Sequence, residues 1–258
     1  MDALLDNPLE SFFAEHELSF LHPTYSLIAI VSLIVIVLLY FALRGSKTRR
    51  ARGTIRVITG ISNAGKTALF AKLYRGTFDK TVSSLEENDG TFPFHGFGDT
   101  KYRIVDFPGH LEVRDKLVSN YLPNAKCVVF MVDAILFPIQ VREVASYLYF
   151  LLMDKSINDL EIPILIACNK SEKKTARTPE EIREKLEKEL NQLRETRTSM
   201  PGIQGENADD NDEDFYLGYE NQPFEFTHLP FEVEFVACSV ESSGELLNPL
   251  VSFLTRDQ

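Results

Sequence analysis

Gly60-Ile-Ser-Asn-Ala-Gly65-Lys66-Thr67 restricts what this chain can fold into more than any other stretch. It fits G-x-x-x-x-G-K-[ST] and lies between an apolar strand-like run, Ile55-Arg-Val-Ile-Thr59, and a helical one, Ala68-Leu-Phe-Ala-Lys-Leu-Tyr74. Strand, glycine-bounded loop and helix in that order make a phosphate loop. The glycines let successive backbone N–H groups turn inward as an anion nest at a helix N-terminus. Residues Gly60, Ser62, Asn63, Ala64, Gly65, Lys66, Thr67 and Ala68 are therefore the phosphate-binding candidates. Lys66 reaches the β- and γ-phosphates, and the Thr67 hydroxyl is a magnesium ligand.

Two further loops follow at strand ends, where open α/β sheets bind ligands. Asp106-Phe-Pro-Gly109 closes a run of strand character as D-x-x-G, about forty residues after the phosphate loop. Its Asp106 is placed to hold Mg²⁺, and the Gly109 N–H to meet a γ-phosphate. Asn169-Lys170-Ser-Glu172 follows the apolar strand Ile164–Cys168. In the N-K-x-D pattern the Asn amide meets the N7/O6 edge of a base and the Lys stem packs along its rings. The carboxylate accepts from guanine N1–H and N2–H₂, a pair adenine does not offer. Glu172 carries that carboxylate with one extra methylene. A wrong base would leave it buried and unpaired, the source of selectivity. Cys238-Ser239-Val240 ends the last strand, where main-chain N–H groups face guanine O6.

Alternating strand and helix patterns indicate a mostly parallel sheet. The expected strands are Thr54–Gly60, Gly90–Phe97, Tyr102–Asp106, Lys126–Asp133, Ile162–Cys168 and Glu232–Cys238, the second and third joined by a hairpin turn at Phe97–Thr100. Helices are expected over Lys66–Tyr74, Glu112–Tyr121, Val141–Asp154, Pro179–Thr196 and Gly244–Thr255. The acidic, glycine-containing run within residues 199–222 reads as a disordered surface insertion. It lacks the regular ligand spacing of a calcium loop. Cys127, Cys168 and Cys238 have neither paired nor metal-ligand spacing and read as reduced, buried thiols. Net charge of −11 excludes a general nucleic-acid surface, so no direct nucleic-acid partner is expected.

Ser26 to Leu43 are eighteen residues without a charge. As a helix they reach ~27 Å, close to the hydrocarbon thickness of the endoplasmic reticulum. The preceding residues are acidic and carry no Lys or Arg, unlike a signal peptide. Basic residues Arg44, Lys47, Arg49, Arg50, Arg52 and Arg56 follow, and a basic flank faces the cytosol. The expected layout is a lumenal tail (1–25), a single transmembrane helix (26–43), a basic cytosolic linker (44–53) and a nucleotide-binding domain (54–258).

The order G-x-x-x-x-G-K-T, D-x-P-G-H, N-K-x-[DE], C-S resembles the Arf-related small GTPases. With the N-terminal span and the stretch Phe224-Glu-Phe-Thr-His-Leu-Pro230, it is similar to the β-subunit family of the signal recognition particle receptor. The resemblance covers nearly everything from Arg44 to Ser239. It implies a phosphate-loop small-GTPase α/β fold, with a six-stranded, mostly parallel sheet flanked by helices and one N-terminal transmembrane helix. It implies GTP and Mg²⁺ as cofactors and the N-terminal domain of the receptor α subunit as partner at the endoplasmic reticulum membrane. A ribosome or translocon is the regulator it leaves room for. A regulated Arf-like or translation-type GTPase with another partner is the alternative, and a protein of relaxed base choice a third.

Within that resemblance, Ser62 and Asn63 replace small glycines near the γ-phosphate, a departure expected either to slow hydrolysis or to hinder an incoming arginine. The first-switch hydroxyl for Mg²⁺ falls among Thr81, Ser83 and Ser84, with Ser84 preferred. His110 stands where a glutamine orients the attacking water; it either does so or is a switch histidine without that role. Asp133 is read mainly as a turn cap, and Arg114 and Arg142 as solvated helix charges. The expected topology is checked with sealed microsomes: added protease should digest the GTPase domain and spare an N-terminal tag. Protection of the domain would reverse the orientation.

Overall fold

The computed structural model describes residues 53–77, 86–198, 216–242 and 244–256, together with residue 28 and residues 31–35. The chain separates into two units, Met1–Arg49 and Arg50–Gln258. In the first, residues 28 and 31–35 are helical and exposed. Among the described residues no helix is long and apolar enough to cross a membrane. The expected tail, most of the span, the linker up to residue 52 and the hydroxyls of Thr81, Ser83 and Ser84 lie outside the described residues.

The second unit is built on a six-stranded sheet: β1 Ile55–Gly60, β2 Asn88–Pro93, β3 Lys101–Asp106, β4 Ala125–Asp133, β5 Ile164–Asn169 and β6 Val233–Ala237. The spatial order is β2-β3-β1-β4-β5-β6. All pairs are parallel except β2 with β3. β1 and β5 are buried at every residue, and β4 at every residue but Lys126. Only a sheet covered on both faces supports such continuous apolar runs. The helices are α1 Lys66–Arg75, α2 Arg114–Asn120, α3 Phe137–Leu152, α4 Lys155–Asp159, α5 Pro179–Thr198 and α6 Asn248–Thr255. In α5, buried Ile182, Leu186 and Leu190 recur every four residues and make its inward stripe. Thr178 and Glu181 cap its start reciprocally, Glu181 N to Thr178 Oγ1 at 3.3 Å and Thr178 N to Glu181 Oε2 at 3.1 Å.

The expected hairpin is present with a different extent. β2 starts two residues earlier than expected, with Asn88 paired to Asp106, and ends four residues earlier, where Pro93 faces Lys101. Beyond it the chain leaves the ladder: Phe94 is buried, and His95 N donates to Leu73 O of α1 at 2.9 Å. Phe70, Phe92, Phe94 and Tyr102 then pack as a row of rings, Phe70 edge-on to Phe92 at 5.3 Å and Phe94 against Tyr102 at 4.7 Å.

Four expectations need correction. The helix expected over Glu112–Tyr121 opens as a 3₁₀ turn, Leu111–Val113. The short helix α4 was not expected; the carboxylate of Asp154 caps it, accepting from Ser156 N at 2.9 Å and Ile157 N at 3.2 Å. Arg56 is not part of the membrane-facing flank. It is buried in β1, donates to Leu254 O and Thr54 O, and lies 4.3 Å from the Tyr102 ring centroid.

The fourth concerns the insertion. Residues 199–215 lie outside the described residues, but its last part is held down on α5. Buried Arg194 donates to Leu217 O at 2.9 Å, Tyr219 O at 3.2 Å, Asn191 Oδ1 at 2.6 Å and Gln222 O. Leu217 is buried beneath it. One guanidinium with five donors satisfies a turn that has no ladder partner. Replacement by Ala strips these carbonyls of their donor, a loss of ~2–4 kcal/mol. Arg194→Ala is therefore expected to lower the denaturation midpoint and to open Tyr216–Gln222 to limited proteolysis. An unchanged digestion pattern would count against this clamp.

Candidate functional site

Strand order places the phosphate loop where the winding reverses: the connection from β1 runs toward β2 and β3, and the one from β3 crosses back to β4 on the other side of β1, the usual crevice of such sheets. Gly60 ends β1 and Gly65 precedes α1. Gly65 has φ +100°, and a Cβ there would stand 2.2 Å from the Asn169 amide nitrogen. Only glycine satisfies both the conformation and the contact. Asn63 also takes a left-handed conformation, φ 63°, which Asn tolerates better than other side chains. The N-terminus of α1 has no side-chain cap and no acidic residue in its first turn. It is electrostatically open to an anion. Lys66 is buried, donating to Ile61 O at 2.8 Å. Burial pushes its ammonium down to about 8; Asp106 opposes this and Arg114 adds to it.

Across the crevice, Asp106 Oδ2 accepts from Thr67 Oγ1 at 2.8 Å and from Asn88 Nδ2 at 2.9 Å. Among the described residues its other oxygen is buried and has no hydrogen-bond partner. Burial pushes this carboxyl up, against the pull of Thr67, Asn88 and Lys66. Hard oxygen donors with one orphaned carboxylate oxygen fit Mg²⁺, which takes one or two protein ligands and completes its shell with phosphates and water. Among the described residues no group of three or more His, Cys, Asp or Glu could hold a metal.

Gly109 lies directly on the phosphate loop. A Cβ there would meet Gly60 O at 2.5 Å and Ser62 N at 2.8 Å, so no other residue allows this approach. His110 is exposed, and Leu111 beside it is 73% exposed. Arg114, read as a solvated charge, is only 5% exposed. It donates to Gly109 O at 3.2 Å, and its guanidinium carbon lies 3.6 Å from the Tyr147 ring centroid. Arg142 is exposed, as expected.

The base end is assembled by Asn169. Its Nδ2 donates to Ala64 O at 2.9 Å and its Oδ1 accepts from Val240 N at 3.1 Å. One buried amide thus ties the phosphate loop to the loop after β6, which the sequence reading did not foresee. Its second N–H remains for a base edge. Lys170, at φ 66°, pairs with Asp133 Oδ2. Asp133 Oδ1 caps the turn into α3 through Ile135 N and Leu136 N. Cys238 N donates to Cys168 O at 2.8 Å, and the Ser239 hydroxyl accepts from Ser242 N at 3.0 Å. All three cysteines are free and buried.

Glu172 carries the clearest mark of a missing partner. Among the described residues its buried carboxylate oxygens have no well-formed hydrogen bond; the Ser239 hydroxyl and Lys173 Nζ, 3.4 Å from one oxygen, are their polar neighbours. Burial pushes the group up, but the Ser239 hydroxyl, the backbone and Lys173 outweigh it and leave it lowered. A charged carboxylate with two open acceptors fits the paired donors of guanine.

Asn88, Arg114 and Tyr147 were missed as site residues. Asn88 was legible only through register, since it pairs with Asp106 across β2 and β3. Nothing in local sequence distinguishes Arg114 from other helix arginines.

Residues 51–233 match the family model described as the signal recognition particle receptor beta subunit. Over 219 residues the chain is 32% identical to signal recognition particle receptor subunit beta of Mus musculus, covering 85% of this chain and 80% of that one. The structure of the mammalian SRP receptor superposes with a TM-score of 0.65 at 32% identity, over 78% of this chain and 97% of the other. The receptor SRb with GDP and Mg from Chaetomium thermophilum gives 0.60 at 25% identity, over 80% and 98%.

The orphaned Glu172 carboxylate sets a competition experiment. Guanine nucleotides should displace a labelled guanine nucleotide at least ~100-fold better than adenine ones, about 2.7 kcal/mol. Glu172→Asp should keep or sharpen that ratio and Glu172→Ala should erode it. Equal affinity for ATP and GTP would sink the assignment.

Proposed function

The chain belongs to the family of signal recognition particle receptor β subunits, and from that premise we propose that it is a membrane-anchored GTP-binding switch. In this reading it tethers the receptor α subunit to the endoplasmic reticulum for co-translational protein targeting. The observation that carries the switch is the seating of Gly109 on Gly60 and Ser62, beside the Thr67–Asp106 pair. A loop pressed that closely on the phosphate loop cannot ignore what lies there.

Gly60 to Ala68 would hold the phosphates, with Lys66 answering the terminal ones. Thr67 and Asp106, joined by a first-switch hydroxyl for which Ser84 is preferred, would hold Mg²⁺. Asn169, Lys170, Glu172 and the loop at Cys238–Ser239 would hold the base. When bound, GTP supplies the γ-phosphate charge that distinguishes one state from the other, and Mg²⁺ neutralises part of it. Gly109 N–H and the first-switch hydroxyl order their loops against that charge. Leu111 stands exposed on the loop that responds, where a partner surface would read it. Ser62 and Asn63 would stand beside the γ-phosphate where many small GTPases have glycines, in keeping with slow turnover by the isolated chain. The uncharged run 26–43 and its basic C-terminal flank support a single span with the GTPase domain in the cytosol.

Capture from detergent extract tests this reading. The chain loaded with a non-hydrolysable GTP analogue should retain the α subunit well above the GDP-loaded chain. Thr67→Asn should abolish capture and leave the protein in the membrane fraction. His110→Ala should alter turnover far more than capture. Equal retention in both nucleotide states would replace the switch with a passive anchor.

A further inference from the structure

Arg114 is a buried cation that forms no ion pair among the described residues. Among the described residues no carboxylate lies within ion-pair distance, and its Nε is buried without a partner. Its compensation is one carbonyl, Gly109 O at 3.2 Å, and one aromatic face, Tyr147 at 3.6 Å. A guanidinium held this way is undercompensated. Burial lowers its proton affinity, with Tyr147 and Glu143 pulling the other way. It also feels the phosphate site, since its charge helps to lower Lys66. The group that would complete its electrostatics is an anion in that site.

The contacts around Arg114 form a closed circuit. Tyr147 is buried and shares a 2.5 Å hydrogen bond with Thr59 Oγ1, and Thr59 precedes Gly60 in β1. Gly60 O and Ser62 N in turn face Gly109. The carbonyl that Arg114 holds belongs to the peptide joining Gly109 to His110. Its bond to Gly109 O therefore spans the exposed stretch His110–Glu112 and pins that stretch at both ends.

We propose that Arg114 is a positioning residue for the γ-phosphate response. Seated on Tyr147, it fixes the Gly109–His110 peptide against the phosphate loop and so couples the third phosphate to the path of the exposed turn Leu111–Val113. Two consequences separate this role from ordinary packing. The charge of Arg114 favours the more anionic nucleotide, and its bond holds Gly109 where that nucleotide is sensed. Loss of Arg114 therefore weakens triphosphate binding more than diphosphate binding. A purely structural arginine would weaken both alike.

The inference rests on the GTP-switch reading, and one experiment keeps the two apart. The full chain in detergent with Mg²⁺ is titrated with GDP and with a non-hydrolysable GTP analogue, by displacement of fluorescent GDP. Arg114→Met should weaken the GTP analogue by ~10-fold and leave GDP within ~2-fold, a coupling in the ordinary range between sites. Arg114→Lys keeps the charge but is too compact to cover the ring and reach Gly109 O together, so it should shift the ratio by ~3-fold. An unmoved ratio in Arg114→Met, with both affinities unchanged or equally reduced, overturns the proposal. If Arg114→Met binds neither nucleotide, Arg114→Lys decides by the same ratio: a shift supports the role and no shift overturns it. A wild-type chain that fails to bind the GTP analogue removes the switch reading itself. A wild-type chain that binds it, with an unmoved ratio in the variant, removes only this inference.

Discussion

The pairing of β1 with β3 on one side and β4 on the other is the constraint on which everything else in the domain depends. Its register sets Ile58 opposite Asp106 and Gly60 opposite Met131, so the phosphate loop, the D-x-x-G loop and the β4 end emerge at one level. β4 and β5 continue it, bringing Asp133 opposite Asn169. Side-chain period along a strand is two, so a slip of one residue would turn Asp106 away from Thr67 and set Thr59 off Tyr147. Continuous burial of β1, β4 and β5 resists such slips, because every residue in them has a place in the core.

Polar groups in the crevice are arranged against their own comfort. Lys66 is held at low proton affinity, Asp106 at high proton affinity, and the buried oxygens of Glu172 have no well-formed hydrogen bond among the described residues. Each departure has the sign that a magnesium nucleotide would correct: anions near Lys66, a cation near Asp106, N–H donors near Glu172. Core burial elsewhere supplies the stability that lets these groups remain unsatisfied. Asn169 differs, since one amide N–H and its carbonyl oxygen are engaged by Ala64 and Val240 and hold two loops in fixed relation, while its second N–H stays open to a base.

Arg114 and Arg194 show how differently two buried arginines can be used. Arg194 is surrounded by carbonyl oxygens and Asn191, and it organises a turn that no strand supports. Arg114 has one carbonyl and a ring, and the carbonyl it holds belongs to the loop that lies on the phosphate loop. Both lie on helices whose sequence pattern suggests solvent. Periodicity reports which residues share a helix face, but it does not report what the chain later lays over that face.

By itself the sequence determined the fold class, the six strands and their alternation with helices, the phosphate loop, the D-x-x-G and N-K-x-E loops and the burial of the three cysteines. These are legible because each is local: glycine spacing sets backbone conformation, and apolar runs of the right length set strands. Tertiary structure alone decided that Asn88 shares Asp106 with Thr67, that Asn169 bridges Ala64 and Val240, and that Arg114 reaches back from α2 to Gly109. It also decided that β2 ends at Pro93 and that the turn after residue 215 is pinned by Arg194. Each of these needs a partner from another element. Whether a long polar side chain meets water, a carbonyl or a ring depends on which element packs over it, and that is settled by register and by helix placement on the sheet.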